Sequence, residues 1–423
     1  MHPARPEFAA ATVIQHAPTP VPSSVRARFP ALADPSVVYL DSAATTQKPD
    51  TVIAAVTAYH REHTANAGRG TYGWATSLSA QIAAVRARAA GFVGAQHADE
   101  IVFTGGATAA LGAVAYSWGL AALNDGDEIV YNPADHAANV LPWHHLRDTL
   151  ARFGRRIVLR PYRSTSAGEA DVEDILRVVG PRTRLITTSH LHHVYGGLTT
   201  LEELHGRIDP EILLCFDCSQ SGGHLPVDVT VLRADFAVFA GHKMFGAPGT
   251  GLLYCHRRVH DRLRPFLPGG QSGVQITEAG LVGTGMPSLL EGGTPNIPGI
   301  LSLAPAFDLL DELDRFAVAA HNRVLTVRLI EGLRQVRGVE FLPGPAHAGC
   351  EVGYGIVSFT LDGISAADLG FVLAESGFLV RTGAHCVPAA GGGDGSVRVS
   401  TQLYNTLDEI DRFVACVSGI AGR

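Results

Sequence analysis

Lysine is almost missing from this chain. It occurs only at Lys48 and Lys243, and arginine supplies the other 31 of the 33 basic residues. Arginine stays protonated, whereas a desolvated lysine amine can lose its proton and act as a nucleophile or base. Lys243 follows an apolar run at 234–239 and the turn Ala240-Gly241-His242, at a predicted strand end where α/β folds build their sites. A coding bias against lysine explains the scarcity but not this position, so Lys243 is predicted to be functional.

Four further scarcities exclude whole classes of protein. No apolar run approaches the roughly 20 residues of a membrane span. The net charge is −7 and no basic tract occurs, which argues against nucleic acid as a partner. Residues 1–22 are rich in alanine and proline but lack the apolar core of a signal peptide, so a loose extension is predicted. Six cysteines spread over 423 residues form no disulfide framework, and the expected location is the reducing cytoplasm.

A metal site is not predicted either. Cys215 and Cys218 have the C-x-x-C spacing of zinc and dithiol sites, but they bracket a strand end and no second pair lies nearby. Buried small hydrophobic side chains are the favoured interpretation. The 19 histidines are dense, yet they fall on different loops and form no H-E-x-x-H motif. A metal hydrolase is therefore the last of the alternatives.

Short β-rich runs alternate with helical stretches through the first two thirds of the chain. Such alternation predicts an α/β fold with a mostly parallel, seven-stranded sheet between helices. An amphipathic segment from Leu301 leads into a smaller α+β domain, with strands predicted at 356–361 and 396–400 and a helix at 407–417. The predicted strands of the large sheet are 101–104, 128–132, 156–160, 185–189, 212–217, 236–240 and 251–255.

The predicted domain organisation follows from this order of elements. Residues 1–22 form the loose extension, and 23–300 form mainly the large cofactor-binding domain, whose start could pack on the small domain. Residues 301–423 provide the connector helix and the small domain, which carries the loop with Cys386.

Asp217 gives Lys243 a partner. It ends the predicted strand that lies one strand–helix–strand step before the lysine, so both side chains can open on the same rim of the sheet. A carboxylate facing a Schiff-base lysine is the pairing expected for pyridoxal phosphate, because the acid keeps the pyridine nitrogen protonated. A helix cap or turn residue is the alternative for Asp217 taken alone.

A glycine-rich turn offers a place for the phosphate. The segment Phe103-Thr104-Gly105-Gly106-Ala107-Thr108 joins a strand to the apolar stretch 107–120, and free N–H groups at a helix start bind anions. Thr108 can add a hydroxyl and His242 a second donor. His136, in the loop after strand 128–132, could stack on a flat cofactor ring.

Cys386 is the second informative residue. It follows His385 and comes just before the glycine-rich patch 389–395, which should be mobile. A thiol beside a histidine on a mobile loop suits a nucleophile that must travel to its substrate, whereas an inert thiol is the alternative. Arg398, in the next predicted strand, could grip a carboxylate through two hydrogen bonds or be a plain surface arginine.

At this point the residues match a family. From about Tyr39 to the C-terminus the chain resembles the class V, fold-type I pyridoxal-phosphate enzymes, and within them the group II cysteine desulfurase and selenocysteine lyase branch. The motifs in this order are highly specific for the fold and cofactor, and less decisive for the substrate. The matching stretches are Tyr39–Thr46, Arg69-Gly70, Asp135-His136, Asp217–Gln220, Gly241–Lys243, Gly293–Asn296, Arg381–Gly383, His385-Cys386 and Val397–Ser400.

The resemblance implies a role for each candidate residue. Lys243 would form the imine with pyridoxal phosphate and shuttle protons, while His136 would stack on the ring. Cys386 would attack the sulfur of L-cysteine and carry it as a persulfide to an acceptor protein, leaving L-alanine. The other implied contacts are Asp217 with the pyridine nitrogen, Gln220 and His193 with the ring oxygen, Ala107, Thr108 and His242 with the phosphate, Thr294 with the phosphate bound by the second subunit of a homodimer, and Ala43, Ala44 and Arg398 with the substrate carboxylate.

Several positions depart from the family pattern. Ala240 stands where a phosphate-binding serine is usual, and His193 where an asparagine is usual. The alternatives left open are a selenocysteine lyase, a C–S lyase or an epimerase-like enzyme of a specialised pathway, and a non-catalytic interaction protein on the same fold. Smaller or less polar residues than the usual ones also occur at Gly68, Gly105, Ala107, Ala109 and Ala384.

Overall fold

The structure is a computed structural model that describes residues 21–68, 70–278, 280–349, 353–388 and 395–422. Nearly all of the predicted loose extension, Arg69 of the family motif and all but Gly395 of the glycine-rich patch lie outside these ranges. The helices are α1 (Asp50–Arg61), α2 (Gly73–Val93), α3 (Ala107–Ala113), α4 (Leu120–Ala122), α5 (Leu141–Arg152), α6 (Val172–Val178), α7 (Ser221–His224), α8 (Ile297–Glu312), α9 (Arg315–Arg334), α10 (Ala366–Glu375) and α11 (Leu407–Ala421).

The strands form one large sheet, one small sheet and two strand pairs. They are β1 (Val38–Tyr39), β2 (Ile101–Thr104), β3 (Glu128–Tyr131), β4 (Val158–Pro161), β5 (Thr183–Ser189), β6 (Leu213–Asp217), β7 (Phe236–Ala240), β8 (Gly251–Cys255), β9 (Val274–Thr277), β10 (Gly280–Gly283), β11 (Val339–Phe341), β12 (Ile356–Leu361), β13 (Phe378–Leu379), β14 (Arg381–Gly383) and β15 (Ser396–Ser400).

The large sheet has seven strands in the order β2-β8-β7-β6-β5-β3-β4. The neighbouring strands from β7 to β4 run parallel, and β8 is antiparallel to both β2 and β7. Strand β7 shows why its sequence is an unbroken apolar run. Phe236 and Val238 belong to one hydrophobic cluster and Ala237 and Phe239 to another, so both faces of the strand are buried.

Every strand predicted for the large sheet is present, with ends that differ by at most two residues. This confirms the predicted α/β class and the mostly parallel, seven-stranded sheet between helices. The predicted connector differs in detail, because α8 ends before Asp314 and α9 begins after it. Asp314 has a φ of 61°, and its carboxylate accepts the N–H of Phe316 at the start of α9. A side-chain cap of this kind starts a new helix.

The small C-terminal sheet is antiparallel in the order β11-β12-β15-β14, and it buries its own cluster of apolar residues against α9, α10 and α11. The start of the described chain joins it. Val38 and Tyr39 of β1 pair with β13, and Asp41 forms a bridge with Ser400 of β15. The segment after β1 therefore runs from the small sheet toward the large one.

None of the helices within the described ranges is both long and apolar enough to cross a membrane.

Candidate active site

Lys243 lies just beyond β7, in a short 3-10 turn formed by Gly241–Lys243. A Cβ on Gly223 would clash with the carbonyl oxygen of Lys243, so glycine lets α7 approach this turn. Burial lowers the pKa of the Lys243 amine to about 8, while the nearby charge of Asp217 acts in the opposite direction. At a given pH more of this amine is neutral than in an exposed lysine, and the neutral form is the nucleophile.

Asp217 ends β6 beside the lysine turn and is buried. The N–H of Ser219 donates to its Oδ1 at 3.0 Å, and no other described residue donates to this carboxylate. Gln220 follows, and its Nε2 donates to the carbonyl of Ala43 at 2.9 Å. That bond uses one of the two amide hydrogens, so Gln220 ties the Ala43 segment to the site and keeps one donor for a ligand.

The glycine-rich turn forms the next wall. Gly106 has a φ of 136°, which favours glycine, and Ala107 and Thr108 begin α3 directly after it. α3 continues through a π-helical turn into α4, and the start of this long helical stretch, with its free N–H groups, lines the cavity. Burial lowers the pKa of His242 to about 4, so this imidazole is a neutral donor or acceptor at neutral pH.

His136 is the N-cap of the short 3-10 turn Ala137–Asn139 after β3, and it lines the same cavity. Its Nδ1 accepts the N–H of Ala138 at 3.1 Å, and burial lowers its pKa, so in the neutral ring the proton lies on Nε2. Its ring meets that of His193 edge to face, with 5.1 Å between centroids. Asp135 holds the loop, since one carboxylate oxygen accepts from the Ser189 N–H and from Asn139.

Cys386 also lines this cavity, and its side chain is exposed. Its backbone carbonyl accepts the N–H of Ala137 at 2.9 Å, and the carbonyl of His385 meets the His193 ring at 2.9 Å. Sequence reasoning predicted a mobile loop here, but this part of it is attached to the cavity wall. The glycine-rich residues 389–394 that follow lie outside the described ranges.

Arg398 comes from β15 of the small sheet and is almost fully buried. Its Nη1 donates to the carbonyl of His193 at 2.9 Å, and Nη2 lies 3.5 Å from Asp41. Burial lowers the pKa of Arg398 to about 10, so it remains a cation at neutral pH. Arg381, which is its cross-strand partner, pairs with the same Asp41 carboxylate.

The predicted residues therefore converge on one cavity of about 610 Å³. Five buried polar atoms of its lining have no partner in the described part of the chain, although unsatisfied buried polar groups are costly. They are Ser219 Oγ, Gln220 Oε1, His193 Nδ1, His385 Nδ1 and Arg398 Nε. Of the predicted site residues, the cavity lining includes Ala43, Ala44, Ala107, Thr108, His136, His193, Asp217, Gln220, His242, Lys243, Cys386 and Arg398.

This arrangement fits pyridoxal phosphate. The amine of Lys243, whose pKa burial lowers to about 8, and the carboxylate of Asp217 line the cavity, and a helix start with His242 offers donors to a phosphate group. The cation of Arg398 and the orphaned polar atoms supply contacts to further polar groups of a ligand.

One predicted residue is not brought into this cavity. Thr294 lies in a neighbouring cavity with Ala109, and its hydroxyl accepts from Asn66 at 3.2 Å. The two cavities share Gly105 and Gly249 in their linings. The role expected for Thr294 concerns a second subunit, so within a single chain it stays a prediction. The departures Gly105 and Ala240 line the cavity, whereas Ala384 does not.

Sequence reasoning gave no role to Lys48, Asp41 or Arg381. The amino group of Lys48 donates to the carbonyls of Thr46 and His242, at 2.7 Å in each case, so it fixes the peptide that precedes Lys243. Its rarity was the only signal that could have drawn attention to it. Asp41 and Arg381 stand within the family motifs, but their pairing across 340 residues is visible only in the fold.

Within the described ranges, no group of three histidine, cysteine or acidic residues is placed to hold a metal ion. Cys215 and Cys218 are both buried, and burial raises the pKa of the Cys215 thiol to about 12. Both thiols are therefore kept protonated, in agreement with their interpretation as small core side chains.

The fold and the site together define a fold-type I pyridoxal-phosphate enzyme. The aminotransferase class-V family model matches residues 38–413, and the chain belongs to that family. This confirms the family resemblance and the cofactor, pyridoxal phosphate, that were expected from the sequence.

The chain is similar to proteins described as cysteine desulfurases. It is 33% identical over 402 residues to a probable cysteine desulfurase of Vibrio cholerae, which covers 93% of this chain and 97% of that protein. The solved apo structure of a cysteine desulfurase from Thermococcus onnurineus matches with a TM-score of 0.87 at 29% identity, covering 96% of this chain and all of that one. A cysteine desulfurase of Escherichia coli matches with a TM-score of 0.83 at 29% identity, covering 94% and 97%.

Proposed function

We propose that this protein is a pyridoxal-phosphate-dependent cysteine desulfurase, which converts L-cysteine to L-alanine and transfers the sulfur to Cys386. One observation carries the proposal: Lys243, Asp217 and the exposed thiol of Cys386 line one cavity, although Cys386 is more than 140 residues away from the other two in the sequence. The relatives described as cysteine desulfurases match nearly the whole chain, which supports the same activity.

When bound, pyridoxal phosphate supplies an electron sink that stabilises negative charge on the substrate carbon next to the amino group. The neutral amine of Lys243 takes the proton from that carbon, which its lowered pKa permits near pH 8. Arg398 binds the substrate carboxylate. The Ala43-Ala44 backbone, to which Gln220 donates a hydrogen bond, lines the cavity and also meets this carboxylate. Asp217 holds a proton at the ring nitrogen.

Sulfur transfer then proceeds at Cys386. The Cys386 thiolate forms a bond to the substrate sulfur while the bond between that sulfur and the substrate β-carbon breaks, and the electron pair of the broken bond stays with the carbon fragment. Protons returned by Lys243, with His136 beside it, complete L-alanine. Cys386 keeps the sulfur as a persulfide, which an acceptor thiol removes. Its exposure suits that second transfer.

The cofactor part of the proposal has a direct test. Borohydride should abolish the visible absorbance of the holoenzyme and leave a stable pyridoxyl label that peptide mapping finds on Lys243. A colourless protein that takes up no pyridoxal phosphate would instead favour the non-catalytic interaction protein.

The sulfur-transfer part is tested by Cys386→Ala. The variant should bind the cofactor normally but lose most of its alanine production from cysteine, by a factor on the order of 10²–10⁴, because its nucleophile is gone. Cys416→Ala, which removes the half-exposed thiol of α11, is the matched control and should keep full activity. Full activity of Cys386→Ala would contradict the persulfide mechanism. The same assay with selenocysteine distinguishes the selenocysteine lyase alternative.

The homodimer is also part of the proposal. Strands β9 and β10 form an isolated hairpin in which Ile276 faces Leu281 across the pair, and these side chains are 88% and 57% exposed. A two-stranded hairpin is marginally stable alone, and exposed apolar side chains of this size call for a covering surface. A second copy that covers the hairpin could also bring Thr294 to the neighbouring phosphate site.

A sulfur-acceptor protein and a cytoplasmic location complete the proposal. The short stretch of sequence between Cys386 and Arg398 and the exposed thiol support a protein acceptor. Free cysteines at 215, 218, 255, 386 and 416 are in keeping with a reducing compartment. Affinity capture with the persulfide form and subcellular fractionation would test the two expectations.

A further inference from the structure

The ring of His193 is held in one orientation by the groups around it. It is buried, with 3% of its surface exposed, and its Nε2 lies 2.9 Å from the carbonyl oxygen of His385. A carbonyl only accepts, so Nε2 carries the proton of this bond. Burial lowers the pKa of His193 well below 6.5, and the ring is therefore neutral with an unprotonated Nδ1. Nδ1 has no partner among the described residues.

Two neighbouring imidazole rings pack against this ring. It stacks on His192 with 4.9 Å between centroids, and His136 meets it edge to face. His192 is itself fixed, because its Nε2 donates to the carbonyl of Ala134 and its Nδ1 accepts the N–H groups of Val194 and Tyr195. The donor of His193 is thus committed to His385, and the group that it presents to the cavity is an acceptor.

The segment that receives this bond has an unfavourable backbone. His385 and Cys386 have φ values of 52° and 63°, so two consecutive residues with side chains occupy the left-handed region. Such conformations persist only when surrounding contacts hold them. The contacts here are the His193 bond, the Ala137 N–H on the Cys386 carbonyl, and a hydrogen bond of 2.9 Å between His385 Nε2 and Ser396 Oγ.

We propose that His193 is a positioning residue for the Cys386 thiol: it holds the left-handed turn at 385–386 against the cavity wall. The inference rests on the proposed function, in which Cys386 receives the sulfur. It also changes the role expected for His193. Because its proton points to His385, His193 cannot donate to a ring oxygen, and a ligand group that meets Nδ1 must be a donor. The turn is fixed and the thiol is aimed before substrate arrives.

Two amide substitutions separate this role from simple packing. In His193→Gln the side-chain nitrogen lies near the position of Nε2 and can still donate to His385. In His193→Asn the shorter amide lies near the position of Nδ1 and cannot reach that carbonyl. The first readout is hydrogen exchange of the apo-protein at Val387, whose N–H donates to Ala384 within the turn. Exchange should be at least 10-fold faster in the Asn variant and close to wild type in the Gln variant.

The second readout is steady-state alanine production by the holoenzymes. His193→Asn should lower kcat by about 10- to 100-fold with little change in KM, since misplacing a reacting group by about 1 Å has effects of this size. His193→Gln should restore most of the rate. Equal exchange at Val387 in all three proteins, or equal loss in the Asn and Gln variants, would overturn the proposal. If His193→Asn does not fold, His193→Met replaces it, because methionine fills the space without a donor.

The failure of this inference and the failure of the proposed function give different results. Cys386→Ala with full activity would remove the persulfide mechanism, yet exchange at Val387 would still report whether His193 holds the turn. Conversely, an inactive Cys386→Ala together with unchanged exchange in His193→Asn would support the proposed desulfurase function and contradict the role of His193.

Discussion

Lys243 and Asp217 show how position alters the chemistry of an ordinary side chain. The amine of Lys243 loses water on burial and lies among the cations of the site, which lowers its pKa to about 8. Asp217 opposes that shift with its negative charge. Its carboxylate is buried and accepts one hydrogen bond, from a backbone N–H. It can therefore accept a further hydrogen bond from a ligand.

Replacing Asp217 by asparagine should leave the fold intact and strongly reduce turnover. The amide cannot keep a ring nitrogen protonated, so a loss in kcat on the order of 10²-fold or more is expected. Spectrophotometric titration with cofactor, followed by the alanine assay, measures binding and rate separately. A variant with cofactor bound and full turnover would contradict the assignment of Asp217.

The pKa of Lys243 also predicts how the stability of the apo-protein depends on pH. Between pH 8 and about 10.5 the amine is neutral in the folded protein but protonated in the unfolded chain. The unfolded state then binds more protons, so stability should rise with pH across this window. In Lys243→Met the rise should be smaller, as chemical denaturation at pH 8, 9 and 10 would show. Identical slopes in both proteins would mean that the amine titrates normally.

At the scale of elements, close approach of the backbone determines the shape of the site. Gly223 in α7 lies against the carbonyl of Lys243, and Gly251 in β8 lies against Gly106 of the glycine-rich turn. A Cβ on either glycine would clash with these neighbours. Both contacts bring a catalytic loop against a neighbouring strand or helix. These glycines are therefore part of the site although neither carries a side chain.

Gly223→Ala should displace the turn that carries Lys243. A loss of about 1–3 kcal/mol in the free energy of unfolding is expected from overpacking, together with weaker cofactor binding. Gly419→Ala in α11 is the matched control, because nothing lies within 4 Å of the added Cβ. It should stabilise the protein by up to about 1 kcal/mol. Thermal denaturation and cofactor titration of both variants make the comparison; unaltered cofactor affinity in Gly223→Ala would contradict the steric argument.

At the scale of the molecule, the sequence predicted the large sheet well because its strands are buried on both faces. An unbroken apolar run such as 236–240 fits few structures other than a strand buried on both faces. The antiparallel direction of β8 and the break at Asp314 depend on tertiary contacts that no local pattern contains. The same is true in the site. Lys243 and Asp217 could be predicted because each lies at the end of an apolar strand. The bond from His193 to His385 could not, because it joins residues 192 positions apart.

The hairpin of β9 and β10 provides a prediction for the assembly. Introducing glutamate at both Ile276 and Leu281 should prevent a second copy from covering this surface and shift the protein toward the monomer. If Thr294 serves the neighbouring subunit, the monomer should also bind the cofactor more weakly. Light scattering and cofactor titration measure the two effects. Thr277→Glu, on the same hairpin but already polar, is the control; a double variant that stays dimeric would exclude this surface as the interface.

The segment from Asp41 to Lys48 has a consequence for motion within the molecule. Its beginning is hydrogen-bonded to Ser400 of the small sheet, and its end is tied through Thr46 and Lys48 to His242 on the large one. The first attachment includes the N–H of Ala43, which donates to the Ser400 hydroxyl, and Ala44 lies between the two attachments. A shift of one sheet against the other should therefore change the geometry of this segment, which contains the residues expected to meet the substrate carboxylate. Substrate affinity should then depend on the spacing of the two sheets.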